Sequence, residues 1–375
     1  MAQTYFASIQ PGLEDTLLQE IRRLGGKRPK KVYGGVEFDA ARKTLYGAHL
    51  QLRTPTRIWM RIDEFRARDA PELYRKTRRY SWERLIGGDH KLIVRAHSSR
   101  SSLYHTDKIK EAVMGALNDR FSKDLTGETS PEFVDTPAED TQLIMARIEE
   151  DRCELSLDAS GELLYRRGWR TEVGRAPLRE TLAATLLELA AWNKDESLLD
   201  PFCGSGTIPI EAACLAAGRP PGLDRDFAFQ SWRNYQPERF EEIRQAFLDD
   251  AHKELPAPIY GRDRNPKVIE AANRNATRAR VADLIKFEAV DLEESEIPDT
   301  VDSIVTNPPY GNRLDKGSAL DVLLARWKSR AERCHLSFLW PRDGRDVIQR
   351  RAPSLRIAAS FENGGLPVDF WTSKE

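Results

Sequence analysis

A chain of 375 residues with 40% hydrophobic content is long enough for two or three packed units, which excludes a peptide or an unstructured tail. Its 58 Lys plus Arg balance 59 Asp plus Glu, so a formal net charge of -1 excludes attraction to nucleic acid through overall charge. Positive charge is local instead: residues 51–100 hold about 13 Lys or Arg against about 6 Asp or Glu, many beside aromatics. Cys153, Cys203, Cys214 and Cys334 are far apart and form no CxxC pair, which predicts neither a zinc site nor a disulfide framework and fits a reducing cytoplasm. The opening MAQTYFASIQPGLEDTL lacks a basic segment followed by an apolar run, and no stretch reaches the roughly 18 apolar residues of a membrane span. The expectation is a soluble, cytoplasmic protein with no membrane partner and no metal.

In chain order, TYFASI predicts a strand, GLEDTLLQEIRRLG an amphipathic helix closed by Gly25 and Gly26, and GGVEFDA a second strand. A helix at TLYGAHLQLRT leads to RIWMRIDEFRA, a strand in which Ile58, Met60 and Ile62 alternate with Arg57, Trp59 and Arg61. A second α+β unit follows, with a helix around APELYRKTRRYSWERLI, a strand at HKLIVRAHS, a helix at HTDKIKEAVMGALNDRF, and strands TQLIMARIEE and RCELSLDAS joined by a Glu-Asp turn. Residues 159–178 read as a short polar connection. From about residue 196, strand and helix alternate through SLLD, TIPIEAACLAAG, IYGRD, PKVIEAANRNATRAR, IKFEAVD, VDSIVT, SALDVLLARWKSRAE and HLSFLW, which predicts an α/β, doubly wound parallel sheet. The Pro-, Arg- and aromatic-rich RPPGLDRDFAFQSWRNYQPERF interrupts this alternation and reads as an inserted loop.

The chemistry concentrates at strand ends. In SLLDPFCGSGTIPIEAA, Asp200 ends an apolar strand, a tight turn of Pro201, Cys203, Gly204, Ser205 and Gly206 follows, and a helix starts at Thr207. Glycines admit a ligand close to the backbone, and helix-start amides can face a carboxylate such as that of S-adenosylmethionine (SAM). The same turn suits dehydrogenases and other Rossmann-like folds. Asp263 ends the next strand, where an acid can take ribose hydroxyls, although it serves equally as a helix cap before Pro266. Asp291 ends the third strand, FEAVD, where its side chain or adjacent backbone could contact an adenine amine, or it is a solvated loop acid. The fourth strand ends in TNPPYG. Pro308 and Pro309 hold the chain extended, the Asn307 side-chain oxygen and the Pro308 carbonyl can accept the two hydrogens of an aromatic amine, and Tyr310 can stack on an extruded base. These motifs alone leave the base and the polymer open.

DPFCGSGT and TNPPYG in this order resemble the SAM-dependent nucleic-acid amino-methyltransferases. Nearly the whole chain, through FASIQPGLEDTLLQEIRRLG, ELYRKTRRYSWERL, HTDKIKEAV, LSLDASGELLYRRGWR, APLRETLAATLL and PGLDRDFAFQSW, is similar to the THUMP-containing RNA guanine-N2 methyltransferases, chiefly their large-subunit (23S) rRNA branch. The resemblance implies a ferredoxin-like domain over 1–65, a THUMP RNA-binding domain over 66–160 and a Rossmann-like SAM-dependent methyltransferase domain over 161–375. It further implies that Arg179 and Glu180 close over SAM with the glycine turn, Asp263 and Asp291. The implied product is an N2-methylated guanine in 23S rRNA, with tRNA guanine and DNA adenine N6 as the alternatives. Arg75, Lys76, Arg78, Arg79, Lys108 and Lys110 are candidate phosphate ligands, and a solvated helix face explains each of them singly as well.

Overall fold

The computed structural model describes residues 3–122, 130–137, 141–171, 178–249, 254–310 and 318–374. The first unit contains β1 (Gln3–Ser8), α1 (Glu14–Leu24), β2 (Lys27–Val32), β3 (Gly35–Ala40), α2 (Arg42–Gln51) and β4 (Arg57–Arg66). In α1, Glu14 and Asp15 open the first turn and Arg22 and Arg23 close the last, the order the helix dipole favours. Gly25 ends it at φ 83°, donating to the Arg22 carbonyl at 3.1 Å. β2 was not expected, because KRPKKV carries no apolar alternation. It is an exposed edge strand in which lysines and Pro29 oppose pairing with another chain. In β4 the expected face is buried at Ile58, Met60 and Ile62.

The second unit contains α3 (Ala70–Arg79), β5 (Lys91–Ser99), α4 (Thr106–Arg120), β6 (Glu132–Phe133), β7 (Thr141–Glu149) and β8 (Arg152–Asp158). Asp69 caps α3 by accepting from the Glu72 amide at 2.7 Å. The long helix read across APELYRKTRRYSWERLI stops at Arg79, because fully buried Trp82 turns inward and donates its indole N–H to the Thr77 carbonyl at 2.9 Å. β4 pairs antiparallel with both β1 and β8, so the two units share one eight-stranded sheet of order β2-β3-β1-β4-β8-β7-β5-β6.

The last unit contains α5 (Glu180–Leu189), β9 (Leu198–Asp200), α6 (Thr207–Ala216), α7 (Pro237–Asp249), β10 (Ile259–Asp263), α8 (Pro266–Arg278), β11 (Ile285–Ala289), β12 (Ser303–Thr306), α9 (Ser318–Lys328), β13 (His335–Pro341), α10 (Arg345–Arg351), β14 (Arg356–Asn363) and β15 (Leu366–Thr372). Its sheet runs β11-β10-β9-β12-β13-β15-β14, and β9 to β13 are parallel as expected. The all-parallel expectation fails at the end of the chain, where β15 inserts antiparallel between β13 and β14. A two-residue turn makes this possible: Gly364 and Gly365 take φ 60° and 81°, the left-handed geometry that reverses a tight hairpin.

The stretch read as an inserted loop joins the three units. Gly222 donates to the Leu50 carbonyl at 3.0 Å, and a Cβ there would lie 2.3 Å from the His49 carbonyl oxygen. Arg233 N–H donates to the Leu85 carbonyl at 2.8 Å, and Trp232 donates its indole N–H to Gln142 of β7 at 2.8 Å. Phe227, Phe229 and Phe240 pack edge-on or stacked around Tyr46 and His49 of α2, burying the aromatics between units. The polar connection is also more than a spacer, since Arg167 is buried and reaches Glu211 of α6 at 3.4 Å.

Candidate active site

Four strand ends meet at the carboxyl edge of the second sheet, the place where open α/β sheets bind ligands. Asp200, at the end of β9, is buried; its Oδ1 accepts from the Thr306 hydroxyl at 2.6 Å and from the Phe202 amide at 3.1 Å. Thr306 is the last residue of β12 and directly precedes Asn307, so the glycine turn and the TNPPYG segment are tied side chain to side chain. Thr306 was not singled out in the sequence, where a threonine ending a buried strand is unremarkable.

The turn itself is braced from behind. Gly204 and Gly206 have φ 54° and 86°. A Cβ on Gly206 would stand 3.0 Å from Phe287 and 3.1 Å from the Ala272 methyl, whereas one on Gly204 would meet no atom of the described residues within 4 Å. The turn therefore packs against α8 and β11 on one side and faces open space at Gly204. The Gly204 amide donates to Asp263 Oδ2 at 3.2 Å, and Asp263 Oδ1 accepts from the Asn265 amide at 2.9 Å. Fully buried Asn275 of α8 donates to the Ser205 carbonyl at 3.1 Å. Cys203 is buried, its amide donating to the Arg262 carbonyl at 2.8 Å. Thr207 starts α6, whose apolar residues are buried on nearly every side.

Beyond β10 and β11 lies an open cleft of about 730 Å³, lined by Arg264, Asn265, Pro266, Val290, Asp291 and Glu294 among others. Asp291 Oδ1 accepts from the Glu293 amide at 3.0 Å, and the Val290 amide donates to the Asp263 carbonyl at 3.0 Å, so the two acid-bearing loops are joined.

Burial pushes the Asp200 carboxyl up to about 7, against the Thr306 and Phe202 hydrogen bonds and with nearby Asp263 adding to the rise. The folded protein thus retains a proton that the unfolded chain releases near pH 4, and between these values stability falls as pH rises. In urea unfolding without cofactor, wild type should lose about 2 kcal/mol relative to Asp200→Asn between pH 5 and pH 8. Parallel pH profiles for the two proteins would refute this ionisation.

At the end of β12, Asn307 Oδ1 is buried and has no hydrogen-bond partner among the described residues. A buried acceptor left without a donor is costly and rare, and it marks a position that a ligand donor would satisfy. Pro308 is buried and Pro309 half-buried. The Tyr310 ring lies edge-on to Trp340, with centroids 6.1 Å apart, and its hydroxyl accepts from Asn363 Nδ2 at 3.1 Å. Asn363 sits at the tip of the β14–β15 hairpin, and nothing in its local sequence points to the site.

Other expected site residues lie further out. Glu180 is buried and pairs with Arg170 at 3.4 Å, and burial pushes its carboxyl up. Arg179 is exposed, its guanidinium 5.0 Å from the Tyr165 ring centroid. On the THUMP-like unit, α3 and α4 lie side by side, joined by the Tyr74 hydroxyl and Asp119. Arg75, Arg78, Arg79 and Lys108 face solvent there. Lys76 is engaged by Glu72 and the Arg66 carbonyl, both at 2.7 Å, and Lys110 by Asp107 at 2.9 Å. Among the described residues no cluster of His, Cys, Asp or Glu is arranged to hold a metal ion, and no helix is long and apolar enough to cross a membrane.

Comparison with known proteins matches residues 4–59 to the RlmL ferredoxin-like domain, 67–158 to the THUMP domain and 167–339 to the RMKL-like methyltransferase domain. The chain is 36% identical over 333 residues to ribosomal RNA large subunit methyltransferase K/L of Aliivibrio salmonicida, an alignment covering 86% of this chain and 46% of that protein. It spans about half the length of the K/L relatives it matches. It is 31% identical over 379 residues to the Synechocystis sp. protein slr0064, provisionally named an RNA methyltransferase, covering 97% and 94% of the two chains. Among solved structures, SMU.472 complexed with SAH superposes with a TM-score of 0.86 at 27% identity over 99% and 97% of the chains. A predicted N6-adenine-specific DNA methylase from Listeria monocytogenes gives 0.85 at 29% identity over 99% and 96%. With ferredoxin-like, THUMP and methyltransferase domains in this order, the chain belongs to the RlmL-type family of THUMP-domain, SAM-dependent methyltransferases.

Proposed function

We propose that this protein methylates the exocyclic N2 amine of a guanine in RNA, with 23S rRNA as the substrate. The observation that carries the amine chemistry is the buried Oδ1 of Asn307 at the end of β12, which has no partner among the described residues. The polymer follows from the THUMP domain and from the names of the rRNA large subunit relatives.

The residues present suit SAM. A Cβ on Gly204 would meet no described atom within 4 Å, Asp200 offers a buried carboxyl at the end of β9, Asp263 ends β10 and accepts from the Gly204 amide, and Asp291, two residues past β11, lines the larger cleft. Asp200 and the turn Pro201, Cys203, Gly204, Ser205, Gly206 and Thr207 would hold the methionine end, Asp263 the ribose and Asp291 the adenine. Bound there, SAM supplies an electrophilic methyl group on a sulfonium. The protein's part is to make a weak nucleophile reactive. An aromatic amine shares its lone pair with the ring, and hydrogen bonds from its N–H groups to Asn307 Oδ1 and the Pro308 carbonyl return electron density to nitrogen and orient it. Pro308 and Pro309 keep those acceptors from turning away, and Tyr310, held by Asn363 and Trp340, offers a face for the extruded base. The exposed bases of α3 and α4 would grip the RNA backbone without reading sequence.

The name of the Listeria structure favours a second reading, adenine N6 in DNA, because the same acceptors serve any exocyclic amine. Incubation with methyl-labelled SAM and unmethylated 23S rRNA, tRNA or duplex DNA, followed by nucleoside analysis, separates them. N2-methylguanosine in rRNA is expected. Label confined to methyladenine in DNA would replace this reading with the second.

A further inference from the structure

Resting on the RNA methyl-transfer reading above, we propose that a cleft between the first unit and the catalytic domain receives the nucleotide flanking the target base, with Arg179 as its phosphate ligand. The cleft measures about 370 Å³, within the range of small-ligand pockets, about 300–1,000 Å³. Three separate parts of the chain wall it: Gln10 and Thr56 beside β1 and β4, Arg179 and Leu182 at the start of α5, and the turn of the β14–β15 hairpin.

Its position ties it to the site. Asn363 lines the cleft and donates to the Tyr310 hydroxyl, so a strand whose target base lies on Tyr310 passes the cleft within one residue's reach. The hairpin turn leaves room for it among the described residues, since a Cβ on Gly364 or Gly365 would meet none of their atoms within 4 Å. The hairpin is seated on the first unit at Gly12, where a Cβ would lie 2.5 Å from the Ser360 carbonyl oxygen, so the wall opposite α5 is firmly placed.

The chemistry suits a ribonucleotide. Among the described residues Arg179 is the single cation of the lining and Glu362 its single acid; the other polar groups are neutral amides and hydroxyls. The Arg179 guanidinium carbon lies over the Tyr165 ring, 5.0 Å from its centroid, and among the described residues no carboxylate pairs with it. An Arg with its fork unspent is a bidentate ligand for phosphate. Glu362 can accept from a ribose 2′-hydroxyl or a base amine, groups a free phosphate lacks. In this assignment Arg179 holds RNA, where the family resemblance implied the cofactor; the cleft lining includes none of Asp200 to Thr207 and not Asp291.

The test compares wild type with Arg179→Gln and Arg179→Lys. SAM affinity is measured by calorimetry, and an unmethylated 23S rRNA transcript is followed by both equilibrium binding and steady-state methylation. Arg179→Gln should raise the RNA Kd and KM about 10-fold and flatten the slope of log K against log salt by about 0.7, with SAM affinity and thermal midpoint unchanged. Arg179→Lys should restore the salt slope and only part of the affinity. Weakened SAM binding with unchanged RNA binding would overturn the proposal, as would unchanged RNA binding alone. If wild type binds the transcript and methylates no RNA, the functional reading fails by itself, and the binding data still decide the cleft.

Discussion

Asn307→Ala should lower kcat about 10²–10³-fold while leaving SAM affinity and the KM for RNA within a few-fold of wild type. The reason is timing. The amine hydrogens become better donors as nitrogen forms its bond to carbon, so the acceptor acts chiefly in the transition state and its loss appears in kcat. Stability should move the other way, because Oδ1 is a buried acceptor with no partner among the described residues and its removal deletes a desolvated polar atom. A large rate loss with an unchanged or slightly higher melting temperature is therefore the signature. Single-turnover methylation of rRNA measures the first part and thermal unfolding the second. A kcat within threefold of wild type would remove Asn307 from the mechanism, and a rate loss accompanied by lowered stability would show that the side chain is structural.

Glu211→Ala should cost about 3–5 kcal/mol of stability, far more than an average substitution. Glu211 lies on α6, almost fully buried, with Arg53 and Arg167 each 3.4 Å from one of its carboxylate oxygens. Arg53 also donates to the Arg219 carbonyl at 2.6 Å, and Arg167 to the Arg53 carbonyl at 2.5 Å. Glu20 of α1 accepts from the Arg53 amide at 3.0 Å, so the network reaches from the first unit's helix into the catalytic domain. Truncating Glu211 leaves two guanidinium groups in a low-dielectric interface without their counter-charge. Glu211→Gln keeps the shape and one acceptor and should fall between the two. Urea unfolding measures the cost, and limited proteolysis should show earlier cleavage between the first unit and the catalytic domain. A cost below about 1 kcal/mol would mean that water replaces the carboxylate and that contacts such as the aromatic insertion and the hairpin seated on Gly12 hold the units together without this ion-pair network.

Much of the candidate site was legible because it is local in the chain. An acid ending an apolar strand, a glycine turn and a helix start are consecutive residues, and their backbone angles follow from the amino acids that compose them. TNPPYG is the same kind of signal, since two prolines set their own path. The elements that carry these motifs were legible for a related reason: alternation and helical spacing of apolar residues report which face is buried. Where the pattern was absent, as in KRPKKV, the strand was missed, and where a buried tryptophan turned the chain, the α3 helix was read too long.

The sequence by itself determined the motif-bearing turns, the α/β alternation that brings their strand ends together, and through its family resemblance the three-domain order. Only the tertiary structure decided what those motifs lean on. Thr306 meets Asp200 across 106 positions, Asn363 meets Tyr310 across 53, and Arg53 meets Glu211 across 158. Such contacts have no local spacing to read, because they depend on how two sheets and an insertion pack against one another. The shared eight-stranded sheet, the role of the Pro- and aromatic-rich stretch as a joint between units, and the cleft beside Tyr310 all follow from that packing.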